Sequence, residues 1–583
     1  MLDKIAAVCY VITFCFAYYR LYVFPKSSQK HNGVVWIWLT LVLETGGQGL
    51  AAGLINAAHI SVNLWSMTLI NLLLGVVAFF IQRKKNAGNQ AYYFKKYDLF
   101  FCLSLLVLGL AFLISFKGKS LNLVFYNSDA SVHFKNTMAV VRDEALPTMY
   151  FSELRTAMVI RCFIPFLSEF QAYRVFVFMD WFYYFLEITV FTLVIREYVD
   201  DIKTKLVSIL FTAAYALGYP MLGYLYSFLY WGLGIMLMGA LLLLVKYYKE
   251  KTLSYGFFIV SMVFLCNSIT MCYMLFGPFV FAALAIYLTY EYFIENKKLD
   301  LKWLAMCFEI FLLPTAIAVY YCYFQFLAQQ SLSVGGVMNI AGGAYPECYI
   351  HFLWLIIPFG IEVYYNIRQK RLDETMVFGI CAVCVVGVLA VLYYQQKIGY
   401  YYFSKYFYVL WFVLYVEAFK GTVHLLKEHG RVIAGYYVLV VLALFVFETQ
   451  NSQKGENRMI DVYQFNLALY QGSYVQCAPE FLDSCRYIMK ELPEGAQVPI
   501  LVEQDLYNTC YWYEGITGKN SSGYYTWFRD VNEIRQDLSN GAVPYFAVLY
   551  GSVFCQENAD FINQFPCAAQ NSVMGIYATG AAQ

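Results

Sequence analysis

One short polar segment between long apolar stretches carries residue types that can do chemistry. It reads Tyr126-Asn127-Ser128-Asp129-Ala130-Ser131-Val132-His133-Phe134-Lys135-Asn136. Asp129 and His133 are four residues apart, so on a helix both side chains project from the same face. A carboxylate and an imidazole presented together could bind a divalent metal ion such as Mg²⁺ or Mn²⁺, or could activate a hydroxyl group. The spacing therefore marks a candidate catalytic or metal-binding pair.

The same residues also have a purely structural interpretation. Ser128 or Asp129 could cap an interfacial helix that runs to about Glu144, with the carboxylate favoured by the positive end of the helix dipole. The sequence predicts a helix here in either case, and the residues alone leave both interpretations open.

A second motif lies much later in the chain, at the start of an apolar stretch. It reads Tyr400-Tyr401-Tyr402-Phe403-Ser404-Lys405. A lysine at a membrane interface could bind the phosphate of a lipid, and flanking tyrosines could stack on sugars or lipid. The alternative is an aromatic anchor with a lysine that extends its ammonium group to water. Lys397 is a weaker second candidate for the same role.

Acidic residues also occur inside apolar stretches. Charged side chains in hydrocarbon are costly, so they usually face the protein interior or a wet cavity. We expect most of these acids to be paired with the abundant tyrosines; a proton or ion relay, as in a transporter, is the alternative. The residues concerned are Asp180, Glu187, Glu309, Glu362 and Glu417.

The composition identifies the elements that must position these groups as membrane helices. Of 583 residues, 61% are hydrophobic, 20% aromatic and 14% charged, whereas soluble domains have about 45–50% apolar and about 25% charged residues. A net charge of +1 gives no reason to expect a nucleic-acid partner.

Apolar stretches of about 20 residues can cross a bilayer as helices. Fourteen such spans are predicted, at 5–24, 33–55, 60–82, 98–116, 172–195, 206–224, 226–246, 254–272, 274–293, 303–326, 349–366, 375–393, 405–419 and 432–448. Alternate connections between them are rich in Lys and Arg, which predicts that those connections are cytoplasmic. The segments 117–171, 327–347, 394–404 and the chain after 449 are then outside the cytoplasm of a multi-pass cell-membrane protein.

Three regions follow from this organisation. We expect N-terminal membrane helices over 1–97, a main membrane module over 98–448 with its outer loop at 117–171, and an extracytoplasmic soluble domain over 449–583. The last region is predicted to be a small α/β domain, with helices near 474–491 and 528–539 and buried strands near 498–503 and 544–550. Its five cysteines could form two disulfides in an oxidising compartment or stay reduced.

The arrangement resembles the GT-C superfamily of membrane glycosyltransferases, and in particular its bacterial members. They carry an essential acid in the first large outer loop, and here Asp129-Ala130…His133-Phe134 followed by Leu146-Pro147 is similar to their motif. Tyr401-Tyr402…Lys405 is similar to a Tyr-Tyr-x-x-Lys signature of some members. The segment 222–227 departs from the family because it lacks the acid that some members have there.

The resemblance implies a sugar transferase of the cell envelope that uses a polyprenyl-phosphate donor and a glycan or lipid acceptor, with inversion at the anomeric carbon. Asp129 would be the general base, and His133 would orient it or share a metal ion with it. Lys405, Tyr401 and Tyr402 would hold the departing phosphate. A second acid could come from Asp143, Glu144 or Glu153, and the loop 327–347 with Glu347 could close over the substrates.

Two other functions remain open from the sequence. One is a transporter or flippase of a lipid-linked sugar or polymer, although no inverted repeat is evident. The other is a ligase or polymerase of surface glycans, which would rely on outer arginines such as Arg142, Arg155 and Arg161.

Overall fold

The protein is a bundle of long helices with a small α/β domain at one end. The computed structural model describes residues 2–23, 31–84, 92–126, 129–142, 151–321, 350–370, 372–451 and 462–580. Within these residues, 11 helices are long and apolar enough to cross a membrane, and a shorter apolar helix covers Leu64–Phe80. The predicted class, a polytopic helical membrane protein with a C-terminal α/β domain, is confirmed.

The helices of the membrane part follow the predicted apolar stretches closely. They are α1 (Leu2–Tyr22), α2 (Gly33–Ala57), α3 (Leu64–Lys84), α4 (Lys96–Lys117), α5 (Asp129–Val141), α6 (Phe151–Phe163), α7 (Ala172–Arg196), α8 (Ile202–Leu217), α9 (Tyr219–Leu225), α10 (Leu229–Lys249), α11 (Tyr255–Cys272), α12 (Phe276–Asn296), α13 (Leu301–Val319), α14 (Ile350–Gln369), α15 (Glu374–Tyr394) and α16 (Tyr400–Asn451). The short helices α5 and α6 occupy the predicted outer loop and are not among the candidate spans.

The last two predicted spans, 405–419 and 432–448, lie in the single 52-residue element α16. His429 has a non-helical backbone conformation (φ −140°, ψ 52°) that interrupts it. The hydroxyl groups of Thr422 and Tyr437 are 2.6 Å apart, whereas fifteen residues of straight helix would separate them by about 22 Å. The chain therefore folds back at His429, and the two predicted spans are the arms of a helical hairpin.

The C-terminal domain is built on a four-stranded sheet. Its strands are β5 (Ile500–Leu501), β6 (Tyr545–Leu549), β7 (Cys567–Gln570) and β8 (Met574–Ala578), in the order β5-β6-β8-β7. The pair β5–β6 is parallel and the other two pairs are antiparallel. The surrounding helices are α17 (Val462–Gly472), α18 (Pro479–Glu491), α19 (Tyr507–Thr517), α20 (Val531–Ser539), α21 (Val553–Glu557) and α22 (Ala559–Ile562).

The predicted elements of this domain are found with shifted boundaries. The helix expected from 474 begins only at Pro479, because residues 474–475 form an extended strand. The strand expected over 498–503 is confined to two residues. The five cysteines are free, and four of them are buried: Cys477, Cys485, Cys510 and Cys555. They act as small apolar core residues.

The C-terminal domain and the predicted outer loop, residues 117–171, lie at the same end of the helix bundle. We call this end the domain face. The strands β3 (Val124–Phe125) and β4 (Tyr474–Val475) pair antiparallel across it. A further two-stranded pair, β1 (His31–Asn32) with β2 (Tyr92–Tyr93), joins two other connections. The predicted candidate residues Asp129 and His133 lie on α5, the element that follows β3 in the chain.

Candidate active site

Asp129 is the first residue of α5, where a carboxylate is favoured by the helix dipole. The structural interpretation of this residue is thus compatible with its position. One face of α5 is buried and includes Ala130, His133 and Phe134. The helix was predicted to continue to Glu144, but its described part ends at Val141, and residues 143–150 are outside the described residues.

His133 is held by an acid on the next helix. Its Nδ1 atom lies 2.7 Å from Oε1 of Glu153, which is fully buried on α6. Asn136 donates a second hydrogen bond of 3.3 Å to the same oxygen. Burial disfavours a charged imidazole, but the hydrogen bond and charge of Glu153, together with Asp129 and Asp180, outweigh it and raise the pKa of His133. Among the candidates for a second acid, Glu153 is therefore placed beside the Asp129–His133 pair.

Lys405 lies near the start of α16 and is only 4% exposed. Its ammonium group donates a 2.5 Å hydrogen bond to the hydroxyl of Tyr401, one turn earlier. It is also 5.1 Å from the ring centre of Tyr273 and 5.9 Å from those of Phe228 and Tyr230. We call the rings of Tyr401, Tyr273, Phe228 and Tyr230 the lysine cage. Aromatic faces attract cations, so the cage holds a positive charge in a largely dry place.

The lysine cage joins the two motifs that the sequence analysis identified separately. The ring of Tyr230 stacks on that of Tyr273 at 5.3 Å and meets the His133 ring edge-on at 5.4 Å. The charge of Asp129 acts on both Lys405 and His133. A carboxylate from the outer loop and a lysine from a late span are thus brought to one place on the domain face.

A buried lysine and a buried aspartate lie next to this site. Lys117, at the end of α4, is fully buried and donates to the backbone oxygen of Val124. Its charge acts on Asp180, whose Oδ1 atom accepts a 3.2 Å hydrogen bond from Ser227. The other oxygen of Asp180 has no hydrogen-bond partner among the described residues. The sequence analysis missed Lys117 and Ser227; the one available signal was a lysine directly at the end of an apolar span.

The remaining acids of the apolar stretches have structural partners. Tyr215 donates to Glu187 at 2.8 Å and Tyr255 donates to Glu309 at 2.7 Å, as the tyrosine-pairing interpretation predicted. Glu362 and Glu417 lie at the opposite, basic end of the bundle instead, and both form ion pairs with Lys420, at 3.5 Å and 3.0 Å. Nδ1 of His424 also lies 2.7 Å from Glu362.

Other predicted site residues lie elsewhere or outside the described part. Arg155 donates a 2.9 Å hydrogen bond to the hydroxyl of Tyr10 on α1, so its guanidinium group faces the N-terminal helices. Lys397 is exposed in the connection before α16. Glu347 with the loop 327–347, and the side chain of Tyr402, are outside the described residues.

The predicted metal ligands Asp129 and His133 are not joined by a third ligand in the described part of the chain. Within the part of the chain that the structure describes, no three His, Cys, Asp or Glu side chains are close enough to hold one ion. Nδ1 of His133 is already bonded to Glu153. The predicted binding of Mg²⁺ or Mn²⁺ by Asp129 and His133 therefore lacks a third protein ligand, and we derive no step through a metal.

Comparison with known proteins gives a likeness in fold. No protein-family model and no curated protein matches the chain. Among solved structures, it is similar to ArnT from Cupriavidus metallidurans, a crystal structure with bound undecaprenyl phosphate. The two chains are 12% identical, the match covers 82% of this chain and 98% of ArnT, and the TM-score is 0.47. A likeness at this level concerns the arrangement of helices and gives no residue of this chain a role.

Proposed function

We propose that this protein is a membrane glycosyltransferase that moves a sugar from a polyprenyl-phosphate donor to a hydroxyl group of a glycan or lipid acceptor. The observation that carries the proposal is the position of Asp129, which lies close enough to Lys405 within the lysine cage for their charges to interact. A base and a phosphate-binding cation are the two groups that such a transfer needs, and both belong to elements at the same end of the bundle.

The reaction is a single displacement at the anomeric carbon of the donor sugar. The Asp129 carboxylate takes the proton from the acceptor hydroxyl while the hydroxyl oxygen forms a bond to the anomeric carbon. The bond between that carbon and the phosphate oxygen breaks, and its electron pair leaves with the polyprenyl phosphate. Attack opposite the leaving group inverts the anomeric centre, and the proton on Asp129 is afterwards lost to water.

Lys405 stabilises the leaving phosphate. Its ammonium group lies close to where negative charge grows, and a site with little water makes the attraction between opposite charges stronger than in bulk solvent. The Tyr401 hydroxyl fixes the ammonium by its 2.5 Å hydrogen bond, so little reorganisation is needed as the donor breaks. The rings of the lysine cage offer flat faces for the sugar or the first isoprene units.

His133 and Glu153 support the base. The hydrogen bond from His133 to Glu153 fixes the imidazole ring and favours its charged form. A positive imidazole near Asp129 keeps that carboxylate ionised until the acceptor proton arrives. Glu153 is therefore assigned the role of holding His133, and it does not contact the reacting atoms in this proposal.

The test is transfer of labelled sugar from a panel of polyprenyl-phosphate sugars by the purified protein in lipid nanodiscs. Wild type is compared with Asp129→Asn, which keeps the size of the side chain and removes the base. Asp560→Asn is the matched control, because Asp560 is exposed on the C-terminal domain. We expect transfer by wild type and control, and loss of transfer by at least about a hundredfold in Asp129→Asn.

Two outcomes would overturn the proposal. Full activity in a folded Asp129→Asn protein would remove the assigned base. No transfer from any donor, combined with movement of a lipid-linked sugar across sealed vesicles, would instead identify a transporter.

A further inference from the structure

The C-terminal domain contacts the chain immediately before Asp129. Val124 and Phe125 of β3 pair with Val475 and Tyr474 of β4. The backbone nitrogen of Gln476 donates a further 2.9 Å hydrogen bond to the carbonyl oxygen of Leu123. The segment that leads into α5 is thus held as a strand of a ribbon shared with the domain.

The domain also packs against α5 itself through helix α19. The Phe134 ring lies 5.2 Å from the Trp512 ring, and both side chains are fully buried. Gly515 permits the close approach of the two helices, because a Cβ atom there would lie 2.6 Å from Cδ1 of Phe134. Contacts this close fix the distance and rotation of α5 relative to the domain.

An ion pair fixes the same interface. Nζ of Lys135 lies 2.5 Å from Oε2 of Glu514, whose side chain is only 5% exposed. Glu514 accepts further hydrogen bonds from the Tyr525 hydroxyl at 2.9 Å and from the backbone nitrogen of Ser521 at 2.7 Å. The carboxylate is therefore rigid within its own domain, and Lys135 is bound to a fixed point.

The far end of α5 is held in the same way. The Arg142 guanidinium donates to the carbonyl oxygens of Gly515 at 2.9 Å and Ile516 at 3.2 Å, near the end of α19. It also forms a 2.7 Å ion pair with Glu169. Cations near a helix C-terminus satisfy its unpaired carbonyl groups. Helix α5 is consequently joined to α19 near its middle and at its end.

We propose that the C-terminal domain positions the base Asp129 by clamping α5, and that Lys135 and Glu514 are the positioning residues of this clamp. The clamp makes the domain a fixed wall of the active site. The inference rests on the proposed function, because the clamp acts through Asp129. Small displacements of a reacting group lower the rate strongly while leaving donor binding almost unchanged.

The test uses the full chain in nanodiscs with Lys135→Met, Glu514→Gln and the double variant. Lys490→Met is the control, since Lys490 is exposed on the same domain. Two quantities are measured: kcat and KM for the donor found in the panel, and hydrogen exchange of the amides of α5. We expect each single variant to lower kcat about tenfold, with KM changed less than about twofold.

The coupling between Lys135 and Glu514, measured with the double variant, distinguishes a clamp from a general loss of stability. If the two residues act as a pair, the double variant is no slower than the worse single variant within about twofold. Lys135→Arg, which keeps the cation, should restore most of the rate. The exchange of α5 amides should become faster in the single variants and stay unchanged in the control.

Specific results would overturn the clamp. These are an unchanged kcat in both single variants, a rise of KM alone, or unchanged exchange in α5. If no form of the protein transferred sugar from any donor, the proposed function would fail, yet the exchange measurement would still support or overturn the clamp by itself.

Discussion

A lysine that is only 4% exposed needs compensation for the water that its ammonium group has lost. Lys405 receives it from one hydroxyl, several aromatic faces and the nearby charge of Asp129. These contacts fix the position of the ammonium group. In the proposed function, the same group binds the phosphate of the lipid donor.

Replacing Lys405 with Met tests this role at the residue scale. The change keeps the length of the side chain and removes the charge that stabilises the leaving phosphate, so we expect kcat/KM to fall by roughly 10²–10³-fold. The measurement is the initial rate of sugar transfer at varied donor concentration. Lys397→Met, at an exposed site before the same helix, should change the rate less than about twofold. An equal loss in both variants would contradict a specific role of Lys405.

The pair His133–Glu153 predicts a pH dependence of stability. The folded pKa of His133 is raised above its unfolded value of about 6.5, so the pair stabilises the fold fully below that pH. The stabilisation is lost as the pH rises through the folded pKa. We therefore expect the difference in thermal midpoint between wild type and Glu153→Gln to be larger near pH 6 than near pH 9. The same difference for Glu557→Gln, an exposed acid, should not depend on pH in this range.

The residues of the site could be predicted from sequence only where a local pattern marks them. Asp129 and His133 follow from their four-residue spacing, and Lys405 from its place beside three tyrosines. The partners Tyr230 and Tyr273 have no such pattern, because they are two of 54 tyrosines in the chain. Which aromatic rings surround a lysine depends on helix packing, and the spacing within one segment does not contain that information.

At the scale of elements, α5 is the component on which the site depends. It is short, with 13 residues, and isolated helices of that length are marginal in water. Its position therefore comes from packing: His133 to α6 on one side, and Phe134 and Lys135 to α19 on the other. A substitution in the interface between α5 and α19 should therefore lower the rate of sugar transfer without altering Asp129 itself.

Gly515→Ala makes that effect measurable. The added methyl group would lie 2.6 Å from Cδ1 of Phe134, in a buried interface that cannot expand freely. We expect a loss of about 1–3 kcal/mol of stability and a lower kcat. Gly495→Ala is the control, because a Cβ atom there meets nothing within 4 Å. Thermal denaturation and transfer rates are the two measurements, and a fully active Gly515→Ala protein would show that α5 tolerates displacement.

At the scale of the whole molecule, the apolar stretches predicted the helices well. The bend at His429 lies within the predicted connection between the last two spans, where Lys and Arg interrupt the hydrophobic pattern, but the helix continues through Lys420 and Lys427, beyond the predicted boundary at 419. The contacts between 117–142 and the C-terminal domain could not be predicted. They join segments that are hundreds of residues apart, and neither segment carries a periodic pattern that identifies the other.

The basic connections predict that the domain face lies outside the cytoplasm. Cys567 is an exposed thiol on the C-terminal domain, so a membrane-impermeant maleimide should label it in intact cells. Labelling should decrease in Cys567→Ser. In that background, a cysteine placed by Lys298→Cys on the basic side should react only after the membrane is permeabilised. The reverse pattern would invert the orientation.

Because β3 pairs with β4, the active site can form only after both strands have been synthesised. Helix α5 leaves the ribosome long before α19, and at about 5–20 residues per second the interval is roughly 20–75 s. Until β4 and α19 have been made and have reached the domain face, Asp129 has no fixed position opposite Lys405. A nascent chain, or one that ends after α16, would thus insert into the membrane as an inactive bundle. Synthesis itself would delay activity until the final domain is in place.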